Sequence, residues 1–258
     1  MKQNLVDIDG SIMEGGGSIV RLTTALSILT EKPVRIYNIR KGREQPGLRN
    51  QHLRGLEASA DLCGGRVERA KVGATEVFFY PGKISGKHVD IVIDTAGSTG
   101  LVLQSLLIAS LKAEEKTTIG IKGGATFGKY APPLQYIQFV LLPLLRRMGY
   151  HAEINISRHG FYPVGGAVAN VMIEPPGKLE PLTMDSPGKV TSVDVISIAS
   201  SQLKKPRVAE RQVRTVEEML RKRGYELNLK MKYSDSQCAG SGVLLVARTE
   251  NGSILGAD

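Results

Sequence analysis

Along the first third of the chain, apolar residues recur at helical spacing and then give way to short apolar runs. Ile19, Leu22, Leu26 and Leu29 line one face of a helix expected over 18–30. Pro33 stops it, and Val34-Arg35-Ile36-Tyr37-Asn38-Ile39 reads as a strand. A second helix starts near Asn50, with Leu53, Leu56, Ala60 and Cys63 on one side and Gly64-Gly65 as its C-cap. Strands are expected near 66–70 and 76–80.

The same order returns roughly 85 residues later, a period long enough for a whole supersecondary unit. Thr95-Ala96-Gly97-Ser98-Thr99-Gly100 reads as a loop opening a helix that runs to Leu111. A strand over 117–121 follows, and Gly123-Gly124 opens the next loop. Pro132-Pro133 starts a helix through Met148, since proline is tolerated in a first turn, and Gly149 ends it. Strands over 152–157 and 167–173 complete the unit.

Past Lys189 the grammar changes. A strand over 190–198, a charged amphipathic helix over 206–223 and strands over 226–233 and 243–249 form a smaller α/β module, preceded by Glu174-Pro175-Pro176-Gly177 as a boundary. The pattern divides the chain into a domain of two units, 1–88 and 89–180, and a module over 181–258. No helix or strand is expected over 253–258, so the module reads as incomplete at its C-terminal end.

Composition narrows the class. The 258 residues are 41% hydrophobic and 23% charged, as in a soluble globular protein with a substantial core. The longest apolar stretch, 101–111, contains Gln104 and Ser105 and is too short to span a bilayer. Met1-Lys2-Gln3-Asn4 has no secretory apolar segment, which makes the cytoplasm the default compartment. The formal charge of +9 attracts phosphates at long range without establishing a nucleic-acid partner. Cys63 and Cys238 form no paired motif, so neither a disulfide framework nor a zinc site is expected.

Three glycine-rich loops are candidates for chemistry. Asp9-Gly10-Ser11-Ile12-Met13-Glu14-Gly15-Gly16-Gly17-Ser18 runs straight into a helix, so backbone N–H groups and the helix N-terminus can meet an anion. Glu14 beside it suits a divalent metal bridging to phosphate. The bland alternative is a flexible turn with a solvated carboxylate. Arg40, Lys41, Arg43 and Arg49, followed by Gln51 and His52 at a helix start, make a basic loop whose arginine forks match phosphate oxygens, or simply a solvated basic loop. Gly160-Phe161-Tyr162-Pro163-Val164-Gly165-Gly166 offers rings that stack on a base or pack a tight turn.

Four motifs in order resemble the RNA 3′-terminal phosphate cyclases: Asp-Gly-Ser-x-x-Glu-Gly-Gly-Gly at 9–17, Ile-Arg-x-Gly-Arg-x-x-Pro-Gly-Leu-x-x-Gln-His at 39–52, Thr-Ala-Gly-Ser-x-x-Leu-Val-Leu-Gln at 95–104, and Gly-Phe-Tyr-Pro-x-Gly-Gly at 160–166. Val208-Ala209-Glu210-Arg211 is similar to that family's inserted module. The resemblance implies an α+β fold of repeated units, each with two helices on a four-stranded sheet, as in the C-terminal domain of translation initiation factor three, plus the inserted α/β module.

It also implies ATP-dependent closure of an RNA 3′-terminal phosphate into a 2′,3′-cyclic phosphodiester, through a histidine–AMP and an RNA-adenylate. Carried over, Glu14 holds Mg2+ (or Mn2+), Arg21 faces the phosphates, and Arg40 and Arg43 clamp the RNA phosphate or the ATP tail. Gln51 and His52 add polar contacts, while Gln104, Tyr130 and Pro132 contact the nucleotide, Tyr130 at the adenine. Ala167 stands where the family has a third glycine. None of His52, His88, His151 and His159 matches the family's nucleophile motif, which is expected beyond this chain's end. An incomplete last unit would expose sheet edge, which makes a homodimer an expectation as well. A non-catalytic RNA-binding relative acting in ribosome assembly is the alternative, and an enolpyruvyl-transferase-like enzyme is a more distant one.

Overall fold

The computed structural model describes residues 5–13, 15–128 and 130–258. Its first sheet is made by β1 (Val6–Asp9), β2 (Val34–Tyr37), β3 (Arg66–Glu68) and β4 (Val77–Tyr80), in the order β1-β2-β4-β3. Two helices, α1 (Gly17–Thr30) and α2 (Asn50–Cys63), make the crossovers. β1 and β2 run parallel, and β4 is antiparallel to both β2 and β3.

The second sheet repeats this plan. β5 (His88–Ser98), β6 (Thr117–Ala125), β7 (Ala152–Arg158) and β8 (Val168–Ile173) take the order β5-β6-β8-β7, with the same parallel and antiparallel pairings. Its crossovers are α3 (Thr99–Ala109) and a rod built from α4 (Leu134–Tyr136), a π-helical turn over Ile137–Leu141, and α5 (Leu142–Arg147). The fold is therefore α+β with repeated units of two helices on a four-stranded sheet. One apolar cluster runs through both units and contains Ile36, Phe79, Leu56, Leu103, Ile119 and Val171. Burying it removes large aliphatic side chains from water at about 25 cal/mol per Å², which locks the two units together.

The third sheet, β10-β9-β11-β12, consists of β9 (Val190–Ser200), β10 (Glu226–Ser234), β11 (Ser241–Thr249) and β12 (Ile254–Ala257), with α6 (Val208–Arg221) joining the parallel pair β9 and β10. Both faces of β9 are covered. Ile196 and Ile198 pack with Phe161 and Val140, and Val193 and Val195 lie under Val213 of α6.

Three local expectations change. Residues 95–98 extend β5 rather than forming a loop, and Ser98 then caps α3 by accepting the Leu101 N–H at 3.2 Å. Ile254–Ala257 is a strand pairing with β11, although its sequence has too few alternating residues to signal one. The rod after Pro133 is not uniform α-helix. Pro143 has no N–H and its ring clashes with the preceding turn, so the π-helical turn just before it absorbs the mismatch.

Candidate active site

The C-terminal ends of β1 and β2 deliver two loops side by side. Asp9 ties them: its Oδ1 accepts from the Ser11 N–H at 2.9 Å, the Ser11 hydroxyl at 2.7 Å and the Asn38 amide at 3.2 Å. These bonds hold its carboxyl below the usual carboxylate range, the Ser11 N–H most of all. Gly10 fits against the second strand, because a β-carbon there would lie 2.9 Å from the Tyr37 carbonyl oxygen.

The glycines then lead into α1. Gly16 is its N-cap, and among the described residues no side chain caps the helix, so its first N–H groups point out of the turn unclaimed by a side chain. A β-carbon on Gly16 would stand 3.7 Å from Arg43 Nη2. On Gly17 it would stand 2.1 Å from His52 Nε2. The helix N-terminus, the Arg43 guanidinium and the His52 ring thus meet at one point.

His52 is 5% exposed and its protonation is fixed by its surroundings. It sits at the third position of α2, where its Nδ1 accepts the Arg49 N–H at 3.0 Å while its own N–H donates to the Arg49 carbonyl at 2.9 Å. An accepting Nδ1 puts the ring proton on Nε2, the atom facing Gly17. Burial, followed by the fields of Arg40, Arg21 and Arg49, pulls its pKa down to about 4. At neutral pH it is an uncharged donor among cations. Arg40 is also pushed down, first by burial and then by Arg49 and Arg43. Such a crowd of arginines around a neutral imidazole and a helix start is suited to an anion with several oxygens.

The other candidates fall into three groups. Arg21, one turn into α1, is half-buried and donates from Nε to Gln104 Oε1 at 3.0 Å, so the two residues meet from helices 83 positions apart in sequence. They stand at one end of a cavity of about 650 Å³ between α3 and the rod, with Pro132, Tyr136 and Leu141 among its walls. Gln104 in an otherwise apolar helix is explained by this pairing and this rim.

Arg40 and Gln51 take up local tasks. Arg40 has left-handed backbone (φ 54°) and its Nη1 donates to the Gln45 and Gly47 carbonyls at 2.8 and 2.9 Å, which folds the basic loop around it. Gln51 Oε1 accepts the Ser98 N–H at 3.0 Å, and Gly97 leaves room for its side chain, so this residue docks the first unit's site onto the start of α3. Tyr130 is 92% exposed and does not line the cavity. Glu14 lies outside the described residues. Among those described, no three His, Cys, Asp or Glu side chains gather as a metal site.

Sequence reasoning passed over Arg49, Asn38 and Ser98 as organisers. Ser98 carried a usable signal, a serine just before an apolar run. Asn38 carried none, since its partner Asp9 comes from another strand, whereas Arg49 bonds locally, to His52 three residues on at the start of α2.

The third glycine-rich loop, 160–166, packs rather than binds at its first ring. Phe161 is buried and stacks on Phe127 at 6.1 Å between centroids, while Tyr162 is exposed. His159 beside it is buried, with Nδ1 2.8 Å from the Gln135 amide nitrogen and 3.1 Å from the Thr126 hydroxyl. Burial, with Lys232 nearby, brings its pKa to about 4. Ala167, also buried, donates to the Gly124 carbonyl at 3.1 Å and keeps the loop closed without a third glycine. No helix among the described residues is long and apolar enough to cross a membrane.

Comparison with known proteins shows the family. The family model for RNA 3′-terminal phosphate cyclase matches residues 12–247. An RNA 3′-terminal phosphate cyclase of Methanopyrus kandleri is 38% identical over 261 residues, covering 99% of this chain and 73% of the relative. One from Thermococcus gammatolerans is 43% identical over 247 residues, covering 95% and 70%, and one from Archaeoglobus fulgidus is 35% identical over 252 residues, covering 98% and 75%. With Gly16 and Gly17, the arginine loop and His52 inside the matched span, this chain belongs to the RNA 3′-terminal phosphate cyclase family.

Proposed function

We propose that this chain recognises an RNA 3′-terminal phosphate and takes part in its ATP-dependent conversion to a 2′,3′-cyclic phosphodiester. The observation that carries the reading is the meeting of Arg43, the neutral His52 Nε2–H and the N-terminus of α1 at Gly16 and Gly17. A phosphate monoester dianion needs several donors from different directions and positive charge that does not titrate away. Arginine and helix N–H groups provide both, and the depressed His52 adds a donor without adding charge.

The chemistry follows from the reluctance of a phosphate monoester to be attacked. Its oxygens are poor leaving groups, so one of them must first carry AMP. A protein nucleophile displaces pyrophosphate from the α-phosphorus of ATP, a 3′-phosphate oxygen then takes AMP from that nucleophile, and the adjacent 2′-OH attacks the phosphorus of the 3′-phosphate. It loses its proton, and AMP leaves as the ring closes. In this scheme Arg43 and the α1 N-terminus hold the terminal phosphate and neutralise the charge that builds on its oxygens. Arg21 extends the positive field toward the triphosphate, and its bond to Gln104 aims it. The cavity beside Gln104 and Pro132 is the place this reading gives the nucleotide base. Glu14 is the assigned ligand for magnesium or manganese.

The adenylated nucleophile is assigned to none of the four histidines. His52 and His159 are buried with Nδ1 engaged, and His88 and His151 are exposed on the second unit.

The test uses RNA bearing a labelled 3′-phosphate with ATP and magnesium. The chain is expected to bind this RNA, with Arg43→Ala lowering that binding by roughly 10- to 100-fold, the cost of a charge-assisted contact, and the label is expected to become resistant to phosphatase once the nucleophile that these four histidines do not provide is supplied. A label that stays phosphatase-sensitive although the RNA is bound and the nucleophile is supplied would remove cyclisation from the reading. Equal binding by the Arg43→Ala protein would remove the site.

A further inference from the structure

The two repeated sheets share a topology but differ on the face turned away from their helices. In the first sheet, Val77 and Phe79 point to the core and are fully buried, which leaves Phe78 and Tyr80 of β4 on the open face. Tyr37 and Arg35 of β2 and Arg66 of β3 join them there, paired as Arg35 opposite Phe78 and Arg66 opposite Tyr80. Arg66 lies over the Tyr80 ring at 4.0 Å, Arg35 over Tyr37 at 5.1 Å and Arg69 over Phe78 at 5.1 Å. The carboxylates Asp7, Glu68 and Glu76 sit within ion-pair distance of these arginines and hold them in place, while the Arg66 and Arg69 side chains keep about two-thirds of their surface in water.

The fold does not demand this layer. At the matching open-face positions the second sheet has Thr118 and Gly120, Asn170 and Met172, and Glu153 and Asn155, with no aromatic ring among them. Nor is the layer remote from the site. Tyr37 stands opposite Asp9, and the next residue, Asn38, donates to Asp9 at the head of the glycine loop. From Tyr37 the rings step away from the site toward Phe78 and Tyr80. Alternate residues on a strand are about 6.6 Å apart, enough for one base on each ring.

We propose that the open face of the first sheet is a track for the single-stranded RNA body upstream of the 3′ end. Bases stack on Tyr37, Phe78 and Tyr80 and on the flat guanidinium groups above them, and Arg66 and Arg69 meet the phosphates. Rings on a four-stranded sheet accept bases by stacking, which is tolerant of sequence because every base has a π-face. The inference rests on RNA being the substrate, and it assigns the part of that RNA which the terminal-phosphate site cannot reach.

The test compares a 3′-phosphorylated dinucleotide with a 3′-phosphorylated single strand of about ten nucleotides by fluorescence anisotropy with the full chain. Tyr37→Ala combined with Tyr80→Ala is expected to weaken the longer RNA roughly tenfold or more and leave the dinucleotide unchanged. Tyr37→Phe combined with Tyr80→Phe should bind both as the parent does. Should the alanine pair fail to fold, Arg66→Ala with Arg69→Ala on the exposed side chains gives the same length-selective loss and a weaker salt dependence. Unchanged affinity for the longer RNA, or an equal loss for both lengths, would overturn the track.

A 3′-hydroxyl strand separates this inference from the one beneath it. If it binds as well as the 3′-phosphate and is equally weakened by the variants, the track stands and terminal-phosphate recognition fails. If the protein prefers the 3′-phosphate but the variants bind the longer strand as the parent does, only the track fails.

Discussion

Gly17→Ala is expected to cost more at the site than any other single methyl group. Its backbone is ordinary helix, where alanine is favoured over glycine by about 1 kcal/mol, so the backbone itself would gain. The added carbon, however, would fall 2.1 Å from His52 Nε2, 2.8 Å from Cδ2 and 2.9 Å from Cε1, three atoms of one buried ring. The imidazole can move only by giving up the Arg49 N–H bond. That leaves a donor unpaired at about 1–3 kcal/mol and turns Nε2 away from the anion. The expected result is net destabilisation of about 1–2 kcal/mol by denaturant unfolding, with loss of 3′-phosphate RNA binding by more than tenfold. The diagnostic is non-additivity. In a His52→Ala background the ring is gone, and the same methyl should be neutral or stabilising. Additive costs in the double variant would mean that Gly17 and His52 do not confront each other.

The second large effect is acid lability well above the carboxylate range. His52 and His159 are both buried and both brought to about 4, whereas in the unfolded chain each titrates near 6.5. The native state therefore binds fewer protons than the unfolded state between these values. Stability contributed by the neutral imidazoles is complete above about pH 6.5 and declines as pH falls toward 4. Each shift corresponds to about 3 kcal/mol at the acid end, a large share of the 5–15 kcal/mol of a typical domain. Unfolding followed from pH 7.5 to 4.5 should show this slope, and a buried neutral replacement such as His159→Asn should remove about half of it. A flat profile down to pH 5 would contradict the burial assigned to both rings.

Much of the fold was legible because it rests on periodicity. The α2 helix was expected from Asn50 to Cys63 and occupies those residues, since its apolar stripe, N-terminus and glycine cap all agree. The doubling of the unit was legible for the same reason. Elements that escaped depend on partners distant in sequence. Residues 95–98 look like a loop because Gly97 weakens a strand, but β6 pairs with Ser98 through Ala125. Residues 254–257 become a strand only because β11 lies beside them.

The site divides likewise. Its residue types could be read from the motifs, and the lack of a side chain lets Gly10 approach the Tyr37 carbonyl and Gly17 the His52 ring. What no local pattern conveys is who meets whom. Arg40 and Gln51 look like ligand-facing groups in sequence, yet one folds its own loop and the other fastens α2 to the start of α3. The pairing of Arg21 with Gln104 depends on α1 packing against α3, a tertiary fact.

The most direct measurement of the central claim is the affinity of this chain for two RNA strands of identical sequence, one ending in a 3′-phosphate and the other in a 3′-hydroxyl, by calorimetry at fixed salt. The arrangement of Arg43, His52 and the α1 N-terminus predicts at least tenfold tighter binding of the phosphorylated strand, with the preference lost in Arg43→Ala. Equal affinity for the two ends would contradict it.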